Sequence, residues 1–338
     1  MRVLSDDDVN AVLDLPALLP VIADAFRADA AGEVERPERH HVPLGRGLDV
    51  DRRTGTDSRS DADPSATTDP LGTGLVMPAY VHGSPYFVVK LASFHPGNQA
   101  RNLPTVNATI ALVAADTGLP VGYAAGTRIT NARTGCVGGL AARELAVEGP
   151  LSVGVIGGGA QARWQARSIA AAAAVEEVRV YSPSDSREAC AADLRDRGID
   201  ARAVATPGRA VEGAAVVVTA TTATEPVFDG GALAPGALVV AVGAYEESMR
   251  ELDRTTVERA DRLFADVPAG AAETGDFPDR GPADLSPFSS VLAGNAGRED
   301  DREVIVVKSV GTAVLDAAAA AFLFDRAVDA DVGTVVDL

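Results

Sequence analysis

The stretch "LSVGVIGGGAQA", residues 151–162, constrains the fold of this chain more than any other. An apolar run ends in Gly157-x-Gly159-x-x-Ala162, and a helical pattern, "AQARWQARSIAAAAA", begins at once. The first glycine permits a tight turn, the second lets backbone approach a pyrophosphate, and the small third residue lets helix pack on strand. The phosphates then meet the helix amino terminus, which Ala160 and Gln161 open. The alternation continues through "VEEVRVYS", "SREACAADLRDRG", "AAVVVTATT", "GALVVAVGA" and "EVIVVKSVG". Strands alternating with helices predict an α/β fold, a doubly wound parallel sheet of Rossmann type spanning residues 129–311.

The end of the second strand of this unit bears on which dinucleotide binds. NAD sites commonly place Asp or Glu there for the ribose hydroxyls, but this chain reads "VYSPSDSRE", with Ser182 and Ser184 in the position and Arg187 close behind. Hydroxyls beside an arginine suit the 2'-phosphate of NADP, whereas Asp185 turned to a ribose would suit NAD. Both cofactors remain open, with the balance towards NADP. A plain Ser-Pro turn would bind either with little preference.

The rest of the chain follows a different pattern. Residues 4–31 place Val9, Val12, Leu18, Leu19, Ile22 and Phe26 on one helical stripe, with Ser5 and Asp8 as a cap. The apolar runs "GLVMPAYV", "YFVVKLASF", "TVNATIALVAAD" and "PVGYAAG", punctuated by Gly and Pro, read as a mostly antiparallel sheet. Between them, residues 45–74 are polar and rich in turn formers, which predicts a flexible loop. The Rossmann unit is thus inserted in an α+β unit formed by residues 1–128 and 312–338.

Charge narrows the partners. The 338 residues carry a net charge of -18, spread along the chain in "SDDDVN", "SDADPS" and "GREDDRE". Nucleic acid is therefore not an expected partner. Nor is a membrane: no apolar run is long enough to span one, and the acidic amino-terminal stretch lacks a signal pattern, so a cytoplasmic location is expected. Spread acidity and scarce lysine suggest a cytoplasm kept at high salt, where ions screen self-repulsion. Cys136 and Cys190 and the four histidines have no metal-ligand spacing, so no metal is expected.

Against that background, the lysines need a reason. Of the 30 basic residues only Lys90 and Lys308 are lysine. Lys90 sits inside "FVVKLASF", where an unpaired ammonium would be costly, so an anion is expected beside it. Arg133 in "ITNARTG" stands in a small, neutral helix start, where a guanidinium can take a carboxylate bidentately. Arg36 and Arg39 flank Pro37 in "RPER". The competing reading for each is an ordinary ion pair in an acid-rich protein.

Taken in order, "MPAY", "VVKLASFHPGN" with "LPT", "DTGLPVG", "ITNARTG", "GVIGGGAQA", "TATTATEPVF", "VGAYEESMRELD" and "KSVGTAVLD" make the chain resemble the ornithine cyclodeaminase and mu-crystallin family over about residues 1–330. The resemblance implies a homodimer whose amino-terminal unit, completed by the last helix, supplies the subunit interface and the substrate site. It implies that Lys90, Arg133 and Arg39 clamp the carboxylate of a small α-amino or α-imino acid, with Lys90 also exchanging a proton with its nitrogen. Thr105, Thr221, Gly243, Ser309 and Gly311 would contact the cofactor. Activities in the family run from cyclodeamination of ornithine to alanine dehydrogenation, ketimine reduction and mere ligand binding.

One departure separates these. Cyclodeaminases carry an aspartate where this chain has Tyr245, and a phenol is a poor base at neutral pH and cannot pair an ammonium as a carboxylate does. Glu246 would substitute only if the loop shifted. The expectation is therefore hydride transfer to or from Cα as an NAD(P)-dependent dehydrogenase or ketimine reductase, ahead of cyclodeamination, which needs the amine managed throughout. A binding protein without turnover is a third reading, opposed by the retention of Lys90 and Arg133.

Overall fold

A computed structural model describes residues 1–37, 40–48, 69–101 and 103–337, with Gln99 described by its backbone alone. In chain order the first elements are β1 (Arg2–Leu4), α1 (Asp6–Val12), α2 (Leu15–Ala30), β2 (Val34–Glu35), β3 (His40–Leu44), β4 (Gly72–Val81), β5 (Tyr86–Phe94), β6 (Val106–Ala114), β7 (Pro120–Ala125) and α3 (Gly126–Leu145). There follow β8 (Leu151–Ile156), α4 (Ala160–Ala172), β9 (Val175–Tyr181), α5 (Ser186–Arg195), β10 (Ala201–Ala203), α6 (Pro207–Val211), β11 (Val216–Thr219) and β12 (Leu238–Ala241). The chain ends with α7 (Arg254–Arg259), β13 (Arg262–Ala265), α8 (Pro268–Ala272), β14 (Ser286–Pro287), α9 (Phe288–Leu292), β15 (Ile305–Lys308), α10 (Ala313–Asp329) and β16 (Thr334–Val335).

Two sheets of eight strands result. The first runs β16-β1-β7-β6-β5-β4-β2, with β3 also on β4, and every pair except β1–β7 is antiparallel. The second runs β10-β9-β8-β11-β12-β15-β13-β14 with all pairs parallel. Its order reverses between β8 and β11, and that crevice is where doubly wound sheets take dinucleotides. The central strands β11, β12 and β15 are buried throughout, as helices on both faces require.

The amino-terminal stripe forms two helices, not one. Ser5 caps α1 in a box with Asp8, donating its N–H to Oδ2 at 2.9 Å and accepting from Asp8 N at 3.2 Å. Pro16 has no N–H to continue the ladder, so α2 starts afresh with proline in its first turn. Leu18, Ile22 and Phe26 then bury fully, each contributing about 1.5–3 kcal/mol. Alternation in β5 turns Val88 and Lys90 inward beneath α10 and leaves Phe87 and Leu91 on the outer face.

The predicted 45–74 loop is too long at its end, because Thr73 and Gly74 already pair with Phe94 and Ser93, and Gly72 with Leu44, as the start of β4. Residues 49–68 and Arg39 lie outside the described residues. Among those described, no single helix is long and apolar enough to cross a membrane.

Candidate functional site

Three elements bring charge to one buried point. Lys90 comes from β5, Arg133 from the second turn of α3, and Asp316 from the first turn of α10, with side chains 4%, 5% and 1% exposed. The Lys90 ammonium donates to Asp316 Oδ2, and Arg133 Nε donates to Oδ1 at 2.8 Å. Thr130 Oγ1 reaches the same oxygen at 3.4 Å. Burial opposes ionisation of Asp316, but Arg133 and Lys90 together outweigh it and hold the carboxyl below its usual range. The amino terminus of α10 adds to that preference.

Gly311, in the left-handed region at φ 77°, seats the Arg133 guanidinium: a Cβ there would lie 2.9 Å from Nη1. Among the described residues, two cations from separate elements thus meet on one carboxylate. Arg36, by contrast, pairs with Asp29 at 3.6 Å.

The glycine loop has the geometry its spacing predicts. Gly157 turns at φ 126°, where a Cβ would strike the Ala220 carbonyl oxygen at 2.4 Å. Gly159 caps α4 and opens on empty space: a Cβ there would meet nothing within 4 Å. Backbone packed tightly on one side and open at a helix amino terminus fits a pyrophosphate. Ala162 is buried against the sheet. Gln161 Nε2 donates to Asn131 Oδ1 at 2.7 Å, tying this loop to the helix that carries Arg133. The helices α3 and α4 touch almost backbone to backbone, since a Cβ on Gly139 would lie 2.6 Å from the Ser168 carbonyl oxygen.

At the end of β9 the hydroxyls of Ser182, Ser184 and Ser186 form a cluster, with Ser186 Oγ 2.9 Å from both others. Arg187 is held beside it by Nη1 donating to the Ser182 carbonyl at 3.0 Å. Across the crevice, Thr221 N and Oγ1 and Gly243 N all donate to Glu251, a residue the sequence did not single out. Ser309 Oγ and Gly311 N likewise donate to Asp266, at 2.7 Å each. These cofactor candidates are thus pinned to carboxylates from below. Thr105 stands just before β6, its carbonyl accepting from His95 N at 2.8 Å.

Tyr245 does not join the cation pair. Its ring packs edge-on against Phe94 of β5 at 6.3 Å, bridging the loop after β12 to the first sheet. Burial, then the Glu246 charge, raise the phenol above its ordinary value, so it stays protonated. Glu246 is exposed and accepts from Ser248 Oγ at 2.7 Å.

Asp316 had a readable signal: it is a lone acid in an otherwise apolar helix, "AVLDAAAAAFLF", where a solvated position is improbable. Lys308, the other surviving lysine, ends the buried strand "IVVK" and called for the argument applied to Lys90.

Residues 64–331 match the profile of the ornithine cyclodeaminase/mu-crystallin family. A Delta(1)-pyrroline-2-carboxylate/Delta(1)-piperideine-2-carboxylate reductase of Azospirillum brasilense is 34% identical over 315 residues, covering 92% of this chain and 91% of its own. The structure of the Thermococcus litoralis Delta(1)-pyrroline-2-carboxylate reductase, in complex with NADH and L-proline, superposes with a TM-score of 0.87 at 29% identity, covering 99% of this chain and 100% of its own. An archaeal alanine dehydrogenase dimer with bound NAD gives 0.85 at 25% identity, covering 100% and 99%.

Proposed function

The chain belongs to the ornithine cyclodeaminase/mu-crystallin family, and from that premise we propose that it is an NAD(P)H-dependent reductase of small cyclic α-imino acids of the Δ1-pyrroline-2-carboxylate type. The observation that carries this reading is the buried meeting of two cations, Lys90 and Arg133, on Asp316 beneath the first sheet. Two cations fixed at one point suit a substrate carboxylate, and the named relatives act on such acids.

In this reading Lys90 and Arg133 grip the substrate carboxylate, with Arg39 as a third member, and so fix Cα for reaction. The Lys90 ammonium hands a proton to the imine nitrogen as that atom gains the electron pair of the C=N bond. Asp316 orients both cations and keeps them from being buried unpaired. When bound, the reduced dinucleotide supplies the hydride that Cα receives. The protonated Tyr245, packed edge-on against Phe94, acts as no base, which disfavours cyclodeamination.

The dinucleotide is held by the glycine loop, Ala160–Ala162, Ser182, Ser184 and Arg187 on one side and by Thr105, Thr221, Gly243, Ser309 and Gly311 on the other. Three hydroxyls with Arg187 beside them, and no acid at the Ser182 position, favour NADPH over NADH. Residues 1–128 and 312–338 form the substrate and dimer unit around the inserted 129–311 unit. The outer face of the first sheet supports a homodimer, since Phe87, Leu91 and Tyr123 stand 37%, 52% and 40% exposed there. The enzyme works in the cytoplasm at high salt.

The test is absorbance at 340 nm in multimolar KCl, with NADPH and NADH each offered against pyrroline-2-carboxylate, piperideine-2-carboxylate, and pyruvate plus ammonia. Stoichiometric loss of reduced cofactor with a cyclic imine is the expected result. A parallel sample with ornithine that releases ammonia without net absorbance change would replace this reading with cyclodeamination.

A further inference from the structure

Beneath the crevice lies a second buried charge cluster, joined by hydrogen bonds that the reaction itself does not call for. Glu251, fully buried, accepts five hydrogen bonds. Its Oε1 takes Thr221 N at 2.7 Å and Thr221 Oγ1 at 2.9 Å; its Oε2 takes Thr219 Oγ1 at 3.0 Å, Gly243 N at 2.7 Å and Ala244 N at 3.3 Å. Its own N–H donates to Asp276 Oδ1 at 2.6 Å, and Asp276 Oδ2 takes the Lys308 ammonium at 2.5 Å. One carboxylate thereby ties the ends of β11 and β12, and Asp276 links it to the end of β15.

We propose that Glu251 is a positioning residue for the nicotinamide half of the cofactor site. It sets the spacing of the loops after β11 and β12 without touching the cofactor. The proposal rests on the dinucleotide reading above. In a doubly wound sheet the two mononucleotide halves bind on opposite sides of the switch point. Here the glycine loop and the β9 end make one side, and Thr219–Thr221 and Gly243–Ala244 the other. Among the described residues, no hydrogen bond of the Glu251, Asp276 or Lys308 side chains reaches the glycine loop or residues 182–187.

The spacing is tight enough to matter. A Cβ on Gly243 would lie 2.1 Å from the Thr221 carbonyl oxygen and 2.4 Å from Glu251 Oε1, so the two loops can sit only at this separation. All five partners of Glu251 are donors, which only a carboxylate can satisfy in full. An amide would turn an NH2 group towards some of them.

The experiment compares Glu251→Gln with the parent protein in titrations with NADPH, NADH, and two probes lacking nicotinamide, ADP-ribose and 2',5'-ADP. The expected result is a dissociation constant for the reduced dinucleotides raised about 10-fold, from loss of charge-assisted hydrogen bonds, with the adenosine probes unchanged. Should Glu251→Gln fail to fold, Thr219→Val removes one donor while keeping the side-chain shape, and should show the same split at smaller size. An equal loss for dinucleotides and probes would overturn the proposal in favour of a general structural role, as would unaltered NADPH binding. A parent protein that binds the adenosine probes and dinucleotides not at all would overturn the dinucleotide reading itself.

Discussion

The two buried clusters each centre on a lysine paired with an aspartate, and they hold their charges in different ways. Lys90, Arg133 and Asp316 set two cations against one carboxylate. Around Lys308 one cation faces Asp276 and Glu251, with Asp266 pinning the adjacent turn. The carboxylates of the second cluster are saturated by backbone N–H and hydroxyl donors, so their negative charge is spent within the fold. In the first cluster the donors to Asp316 are side chains, the two cations and the Thr130 hydroxyl. Carboxylates fixed by backbone are scaffolding; cations gathered from separate elements are placed to take a ligand of opposite sign.

Cutting the first cluster should give the largest effect. Lys90→Ala is expected to lower kcat/KM for the imine by at least about 100-fold, the scale for losing a charged group that acts on the reacting atoms. Arg133 still pairs with Asp316, so dinucleotide binding should survive. Steady-state kinetics beside an NADPH titration measure both, and weak NADPH binding by the variant would mean that the clusters are not separate.

Lys308→Met should reverse the pattern. Removing one partner of a fully buried pair costs about 3–5 kcal/mol of stability, because Asp276 is left uncompensated. A lowered urea midpoint with the imine KM unchanged is expected. Adding Asp276→Leu should recover only part of the loss, since Asp276 Oδ1 also accepts from Glu251 N and Leu252 N.

This contrast also marks what the sequence could reveal. The glycine loop, the parallel alternation and the antiparallel half depend on local periodicity and turn chemistry, and each is visible within a dozen or so residues. Lys90 stood out because lysine is so rare in this chain. Asp266, Asp276 and Glu251 did not, because in a chain with 48 acidic residues a buried carboxylate looks like a solvated one. Their roles depend on strand order, which brings the ends of β11, β12, β13 and β15 together across long sequence separations. The division of the amino-terminal stripe into α1 and α2 was legible in Pro16, a breaker at the second position of its helix.

The pH dependence of stability should separate the two buried carboxylates by sign. Asp316 lies below its unfolded value, so its contribution is complete above about pH 4 and is lost as pH falls through the folded value. Glu251 lies above its unfolded value: burial raises it, partly offset by Lys308. Between the unfolded and folded values the native state holds a proton that the unfolded chain has released, so stability falls as pH rises through that window from about 4.3; above it Glu251 is the carboxylate its five donors satisfy. Asp316→Asn should therefore flatten the acid limb of a midpoint-against-pH curve, and Glu251→Gln the limb above it. Slopes altered on the same side by both variants would break the distinction.

The smallest effect tests the seam between the clusters. Cys136 lies three residues beyond Arg133 on α3 and faces α4; burial, partly opposed by the nearby Ser168 hydroxyl, pushes its thiol up to about 12. Burial likewise raises Cys190 to about 11. Thiols that remain protonated and enclosed do not attack disulfides, so the native protein should leave an aromatic disulfide reagent uncleaved until it unfolds. Gly139→Ala forces a Cβ to within 2.6 Å of the Ser168 carbonyl oxygen, a misfit on the scale of about 1–3 kcal/mol. If α3 and α4 hold Arg133 against the glycine loop, this variant should expose Cys136 to the reagent before Cys190. It should weaken imine and dinucleotide binding together, the one change in this set expected to affect both sites at once.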